Sequence, residues 1–411
     1  MSQEKPTGES YLVVGGGTSL GEAIVRLLLR RGETRISIFD ALPLAAEQAA
    51  AFGDHVRVFV GEILAPKVVS DAIQSCQATC IIFTGMISTP VARNVLYPRT
   101  SINGARNLVS AILQSAAVKQ LVYFGDAASM FDGIERPNLR EADVPCLPKP
   151  WSARHEPASV GEGIVLGANG KNGLATVVIR PALLFGPTYS FYMSLLLRYH
   201  EAPELAALCV GDNTNLSDTT FIDNAAHAGI LAADRLAPAH PQHSATAGRA
   251  FLVSDDDPRP TWDLERDLWV AASHTTPPTP VRVPYNYYVK KPGPLARLLG
   301  RTEPRTEKKR NMHWYCLTRT YNISLARDVL GYTPIVSHDE GIRRTAEWWL
   351  ERRLKLSALK NETQVTTENP PPAYDSKTGS ELAIAPYLEP ETMYFALMPT
   401  KIGAVWLNEP I

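Results

Sequence analysis

Apolar residues follow two rhythms along this chain. In its first half, short and mostly apolar runs recur at Tyr11–Val14, Arg35–Asp40, Val56–Val60, Cys80–Phe83, Gln120–Phe124 and Ala175–Ile179. Between them lie stretches such as Leu20–Gly32, in which apolar side chains return every three or four positions. Runs without polar alternation fit strands buried on both faces, and the longer period fits the helices that cover them. Strand and helix taking turns predict an α/β fold with a doubly wound parallel sheet across residues 11–187.

Beyond residue 187 the pattern loses its regularity. Helical periodicity returns over 188–208, 222–236, 260–273, 323–330 and 338–355, which predicts a smaller mixed cap over 188–359 with some strands returning to the sheet. Residues 276–310 are rich in Pro, Lys and Arg and read as a long loop with one helical piece. Residues 1–10 form a polar N-terminal tail. The C-terminal tail, 360–411, begins with a disordered composition and then regains Tyr387, Met393, Tyr394, Phe395, Leu397, Met398 and Trp406, so its second half is expected to dock on the body.

Composition narrows the function classes. With 41 basic and 42 acidic residues, and a net charge of −1, no field of one sign draws in nucleic acid. Lys290-Lys291 and Lys308-Lys309-Arg310 are short and read as solvated loop. Cys76, Cys80, Cys146, Cys209 and Cys316 are scattered, which predicts reduced thiols and no metal site. The polar N-terminus and the lack of a long apolar run predict a cytoplasmic protein, with peripheral contact at the endoplasmic reticulum left open. Pro371 to Tyr374 spell a Pro-Pro-x-Tyr ligand for a WW domain. Homo-oligomerisation is left open.

The chemistry begins at Gly15-Gly16-Gly17-Thr18-Ser19-Leu20-Gly21, between the first strand and the first helix. Glycine permits the tight turn and lets a pyrophosphate approach the backbone, and the helix N-terminus favours its charge. With Gly15, Gly16, Gly17 and Gly21 in these places, this is a Rossmann-type nucleotide turn. Asp40, ending the second strand, suits a ribose diol and repels a 2′-phosphate, so NAD is favoured over NADP. Glu62 follows the third strand, where an acid meets the adenine. Thr18 stands where a third turn glycine is wanted, and its side chain is expected to crowd the pyrophosphate and weaken binding.

Several phrases, in order, resemble the extended short-chain dehydrogenases, specifically the 3β-hydroxysteroid dehydrogenase/isomerase group and within it the fungal sterol-4α-carboxylate 3-dehydrogenases. They are Leu121-Val122-Tyr123 with Phe131-Asp132-Gly133, Arg180-Pro181-Ala182-Leu183-Leu184-Phe185-Gly186-Pro187, Phe221-Ile222-Asp223-Asn224-Ala225-Ala226-His227-Ala228 and Leu330-Gly331-Tyr332-Thr333-Pro334. The resemblance covers residues 10–355. It implies oxidation of a sterol 3-hydroxyl with NAD, followed by loss of a 4-carboxylate. It also implies a catalytic Tyr, Lys, Ser and Asn, a nicotinamide contact from the Pro181 backbone, and a polycyclic substrate of sterol, terpenoid or polyketide type.

Carried over residue by residue, that tetrad is absent. The phrase Glu162-Gly163-Ile164-Val165-Leu166 with Ala168-Asn169-Gly170 places Arg154 at the tyrosine position and Ala158 at the lysine position. The serine position is Asp126. The asparagine position is Ser101, or Asn103 in a shifted register. Arginine stays protonated at working pH and cannot act as the general base. Asp126, Arg154 and His155 therefore become the candidate catalytic residues. Asp126 can equally cap the turn that follows it, and Arg154 can equally form a structural ion pair with Glu156 or Asp126. Three outcomes stay open: a rewired enzyme that isomerises, cyclises or decarboxylates without hydride transfer, a dehydrogenase with an atypical proton path, and a non-catalytic binding protein.

Overall fold

The computed structural model describes residues 5–84, 96–144, 151, 156–188, 196, 206–275, 279–284 and 313–365, without the side chains of 96–100, 208 and 355–365. Arg154, His155, Cys146, the two lysine clusters, the Pro-Pro-x-Tyr segment and the apolar half of the tail lie outside the described residues, as does most of 188–208.

The predicted runs become strands β1 (Tyr11–Val14), β2 (Ile36–Asp40), β3 (Val56–Val60), β4 (Cys80–Phe83) and β5 (Gln120–Phe124). They are followed by β6 (Arg136–Leu139), β7 (Ala175–Pro181), β8 (Leu183–Phe185), β9 (Leu208–Val210), β10 (Leu216–Ser217) and β11 (Thr219–Phe221). The last are β12 (Arg249–Val253), β13 (Arg259–Pro260), β14 (Val281–Val283) and β15 (Arg319–Tyr321). Seven of them form the central sheet, in the order β12-β7-β5-β4-β1-β2-β3, and every pairing in it is parallel. The order reverses between β1 and β4, and in such sheets ligands bind beyond the strand ends at that switch point.

Helices α1 (Ser19–Arg31), α2 (Ala46–Phe52), α3 (Pro66–Cys76), α4 (Leu96–Gln114), α5 (Glu156–Leu166) and α6 (Ile222–Leu236) accompany the sheet. Successive strand residues point to opposite faces. Tyr11 and Val13 accordingly join Leu20, Ile24 and Leu28 of α1 and Ala225 to Ala233 of α6 in one core. Leu12 and Val14 join Val69 and Ile73 of α3, Leu108 and Ile112 of α4 and Val165 of α5 in the other. Burying each such Val, Leu or Ile contributes ~1.5–3 kcal/mol, which is why these strands carry no polar alternation. Cys76 ends α3 and Cys80 starts β4, both buried and without disulfides.

The second half adds α7 (Asp263–Ser273) and α8 (His338–Val365), which pack together through Leu264, Leu268, Trp269, Ile342, Ala346 and Trp349. α7 starts three residues later than its periodicity suggested, and α8 runs ten residues further than 355. Over 323–330 there is a single wide turn at Ala326–Leu330, ended by Gly331 in the left-handed region. A four-stranded sheet, β13-β10-β15-β6, and the pairs β11-β8 and β14-β9 complete the second half. The halves interlock: β6 and β8, from before residue 187, pair with β15 and β11, while β12 joins the central sheet beside β7.

The joint rests on Asn224, a side chain with no exposure. Its Oδ1 accepts the N–H groups of Ile335 and Val336 at 2.8 and 2.9 Å. Its Nδ2 donates to Asp255 Oδ1 and to the Val336 carbonyl at 2.7 and 2.8 Å. One amide thus satisfies four polar groups that have no water to turn to.

Candidate functional site

The glycine turn lies where β1 passes into α1. Gly15 has φ +81°, in the region that favours glycine. A Cβ on Gly21 would stand 2.2 Å from the Gly15 carbonyl oxygen, and one on Gly16 would stand 2.6 Å from the Ile38 side chain. These contacts require glycine and leave the outer face of the turn as bare backbone, the surface a pyrophosphate needs.

Thr18 has a structural task in this turn. Its hydroxyl is turned inward, donating to the Gly15 carbonyl at 2.7 Å and accepting from the Gly21 N–H at 3.0 Å. The side chain caps the N-terminus of α1 and is 7% exposed. The hydroxyl is thus committed to the cap of α1.

Asp40 closes the turn from the β2 side. Its Oδ2 accepts the Gly17 N–H at 2.9 Å, and burial raises its carboxyl above the ordinary range, partly offset by the Gly17 amide. Gln48, which the sequence did not single out, holds the other side of Gly17: its Nε2 donates to the Gly17 carbonyl at 3.1 Å and to Glu22 Oε2 at 2.7 Å. The signal for it was faint, a glutamine near the start of a short helix. Glu62 lies exposed beyond β3, joined to the turn region through the Gly61 N–H, which donates to the Asp40 carbonyl at 2.8 Å.

A second group gathers at the ends of β5 and β7. Asp126 caps the short 3-10 turn Ala127–Met130, its Oδ1 accepting the Ala128 N–H at 2.8 Å. Its own N–H donates to Glu162 Oε1 at 3.3 Å, and the Ser129 hydroxyl reaches the same oxygen at 3.3 Å. Glu162, fully buried on α5, receives Arg180 Nε on its other oxygen at 2.8 Å. A Cβ on Gly125 would fall 2.0 Å from Glu162 Oε1, so glycine is required there. Pro181, next to Arg180, is buried at the end of β7. Glu162 therefore ties the Asp126 backbone, α5 and the end of β7 into one unit. The sequence carried it only as an alignment anchor, and its ion-pair partner could not be read from spacing.

The Glu162 anchor fixes which face of α5 looks at this group. Ala158, one turn earlier on the same face, is buried at 7% exposure. On α4, Ser101 is 2% exposed and its Oγ lacks a hydrogen-bond partner among the described residues, whereas Asn103 Oδ1 accepts Arg106 Nη1 at 3.1 Å on the exposed side. Ser101, not Asn103, thus occupies the inward register. Past the Asp126 turn, Phe131, Trp151 and His313 form an aromatic series with centroid separations of 6.1 and 5.5 Å. Among the described residues no three His, Cys, Asp or Glu side chains gather in a way that could hold a metal ion, and no helix is long and apolar enough to cross a membrane.

The model of the 3-beta hydroxysteroid dehydrogenase/isomerase family matches residues 12–282. This chain belongs to that family. Among its relatives, the decarboxylating sterol-4-alpha-carboxylate 3-dehydrogenase of Schizosaccharomyces pombe is 30% identical over 349 residues, 82% of this chain and 97% of that one. The Candida albicans enzyme of the same name is 28% identical, covering 84% and 98%, and the human one is 27% identical, covering 82% and 87%. The fold is shared with more distant proteins. A dTDP-glucose 4,6-dehydratase from Bacillus anthracis in complex with NAD superposes with a TM-score of 0.62 at 16% identity, over 84% of this chain and 97% of that one. A UDP-glucose 4-epimerase from Thermotoga maritima superposes with a TM-score of 0.61 at 16% identity, over 84% and 99%.

Proposed function

We propose that this member of the 3β-hydroxysteroid dehydrogenase family binds NAD weakly, takes a polycyclic apolar substrate of sterol, terpenoid or polyketide type, and acts on it without hydride transfer. One observation carries the reading. Position 158 lies on the inward face of α5, one turn from the glutamate that anchors the Asp126 backbone, and its side chain is a methyl group. A methyl supplies neither the charge that lowers a phenol's pKa nor a donor for a ribose hydroxyl.

The residues present fit NAD at its adenosine end. Gly15, Gly16, Gly17 and Gly21 would face the pyrophosphate, Asp40 the ribose diol, Glu62 the adenine, and the Pro181 backbone the nicotinamide. When bound, NAD supplies a hydride acceptor. Weakening is attributed to Ala158 rather than to Thr18, whose hydroxyl is committed to the cap. The curated relatives named for sterol-4-alpha-carboxylates suggest a substrate bearing a carboxylate, and the aromatic series beyond Asp126 suits a flat ring system.

Arg154 is then the residue that binds that carboxylate or stabilises a developing enolate, since a guanidinium is a fixed, bidentate cation. Asp126 or His155 moves the proton. Such a site isomerises, cyclises or decarboxylates. An atypical hydride path is the second reading, and the intact turn with Asp40 favours it. In a product-profile assay with NAD present, Arg154→Ala abolishes turnover and His155→Ala lowers it less. Unchanged turnover in Arg154→Ala would remove Arg154 from the site.

A further inference from the structure

Beside α5, an open groove of about 840 Å³ runs between this helix and the sheet edge at β12. That volume lies within the ~300–1,000 Å³ range of small-ligand sites. Val160, Ile164 and Leu166 of α5 form one wall, with Ala250 of β12 and Leu325 opposite. Four polar residues join them: Arg180, Arg249, Glu141 and Ser159.

Arg180 is the informative one. It is 4% exposed, yet its hydrogen bonds use only part of the guanidinium. Nε donates to Glu162 at 2.8 Å and Nη1 meets the Met130 sulfur at 3.2 Å, while Nη2 has no acceptor among the described residues. That edge opens on the groove, where its donors can meet a planar acceptor. Glu141 does not fill that role. Its Oε1 accepts the Leu252 N–H at 2.8 Å, and burial pushes its carboxyl above the ordinary range. Arg249, exposed at the rim, adds a second positive charge.

We propose that this groove binds a small aliphatic carboxylate, with its carboxylate on the open edge of Arg180 and its chain along α5 and β12. The chemistry is complementary at both ends: planar donors for a planar acceptor, and an apolar channel for methylene groups. This site is separate from the NAD turn and from Ala158, so it stands whether or not the proposed reaction does. Occupancy would reach Asp126 through the Arg180–Glu162 pair.

Octanoate is the probe, titrated into the full chain by calorimetry, with octan-1-ol as the uncharged comparison. Octanoate is expected to bind at least about tenfold tighter than the alcohol, a difference of ~1.4 kcal/mol. Because Arg180→Met breaks a buried ion pair and risks the fold, the deciding variant is Gly163→Phe. A side chain at Gly163 meets nothing within 4 Å and lines the groove. Gly163→Phe should weaken octanoate at least about tenfold while the melting temperature and NAD titration match the wild type. No binding to the wild type, equal binding of octan-1-ol, or full octanoate binding by Gly163→Phe would each overturn the assignment. A missing NAD signal in both proteins would count against the proposed function alone.

Discussion

Single residues decide what this fold can do. Glu162 is buried with no exposure and paired to Arg180, so removing it leaves a guanidinium without compensation and frees the Asp126 amide. Breaking a buried pair from one side costs ~3–5 kcal/mol, whereas replacing both partners by apolar residues costs far less. Glu162→Ala should therefore lose about that much stability in urea denaturation, and Glu162→Met with Arg180→Met should recover most of it. Asp218 offers a second test. Burial pushes its carboxyl from 3.8 up to about 7, against one short bond from the Tyr321 amide at 2.6 Å. A folded-state value above the unfolded one favours folding at low pH, and that contribution is lost as pH rises through about 7. Stability should fall from pH 5 to about 7 and level off above it, and Asp218→Asn should flatten that fall. The chain spelled out both acids but not their burial. Charged residues in a sequence look alike until packing separates them, and the same limit hid the inward turn of Thr18.

At the scale of elements, six of the seven strands of the central sheet were legible as mostly apolar runs; β3 keeps such a run at the sheet edge although Val58 and Val60 are exposed, and β12 was not marked. The short strands were not. β6 and β8 hold four and three residues and pair with strands more than thirty positions away, so no local period marks them. Their pairing joins the halves of the chain, and Asn224 fixes that joint. Asn224→Ala would strand the Ile335 and Val336 amides together with part of the Asp255 hydrogen bonding. At ~1–3 kcal/mol for each unsatisfied buried group, the loss should reach at least about 2 kcal/mol in chemical denaturation. A loss below ~0.5 kcal/mol would show that water reaches these groups and that the joint is looser than its geometry. The resemblance drew the eye to the phrase around Asn224 without saying what the amide does.

The whole molecule sets a glycine turn and a mixed second half beside a helix that carries alanine at position 158. The family was legible from ordered phrases along the chain. The resemblance alone implies that Arg154 and Ala158 stand at the Tyr and Lys positions, and the structure adds that Ala158 and Ser101 are buried. Folding constrains the glycines, Asp40 and Glu162 through contacts within the chain. Nothing in those contacts constrains the identity of residue 158, so fold and chemistry can part. The direct test is incubation of the purified chain with NAD and a sterol 4-carboxylate, following NADH absorbance and the products together. No NADH should form, although the carboxylate substrate binds; steady NADH production at the rate of an ordinary dehydrogenase would contradict the account.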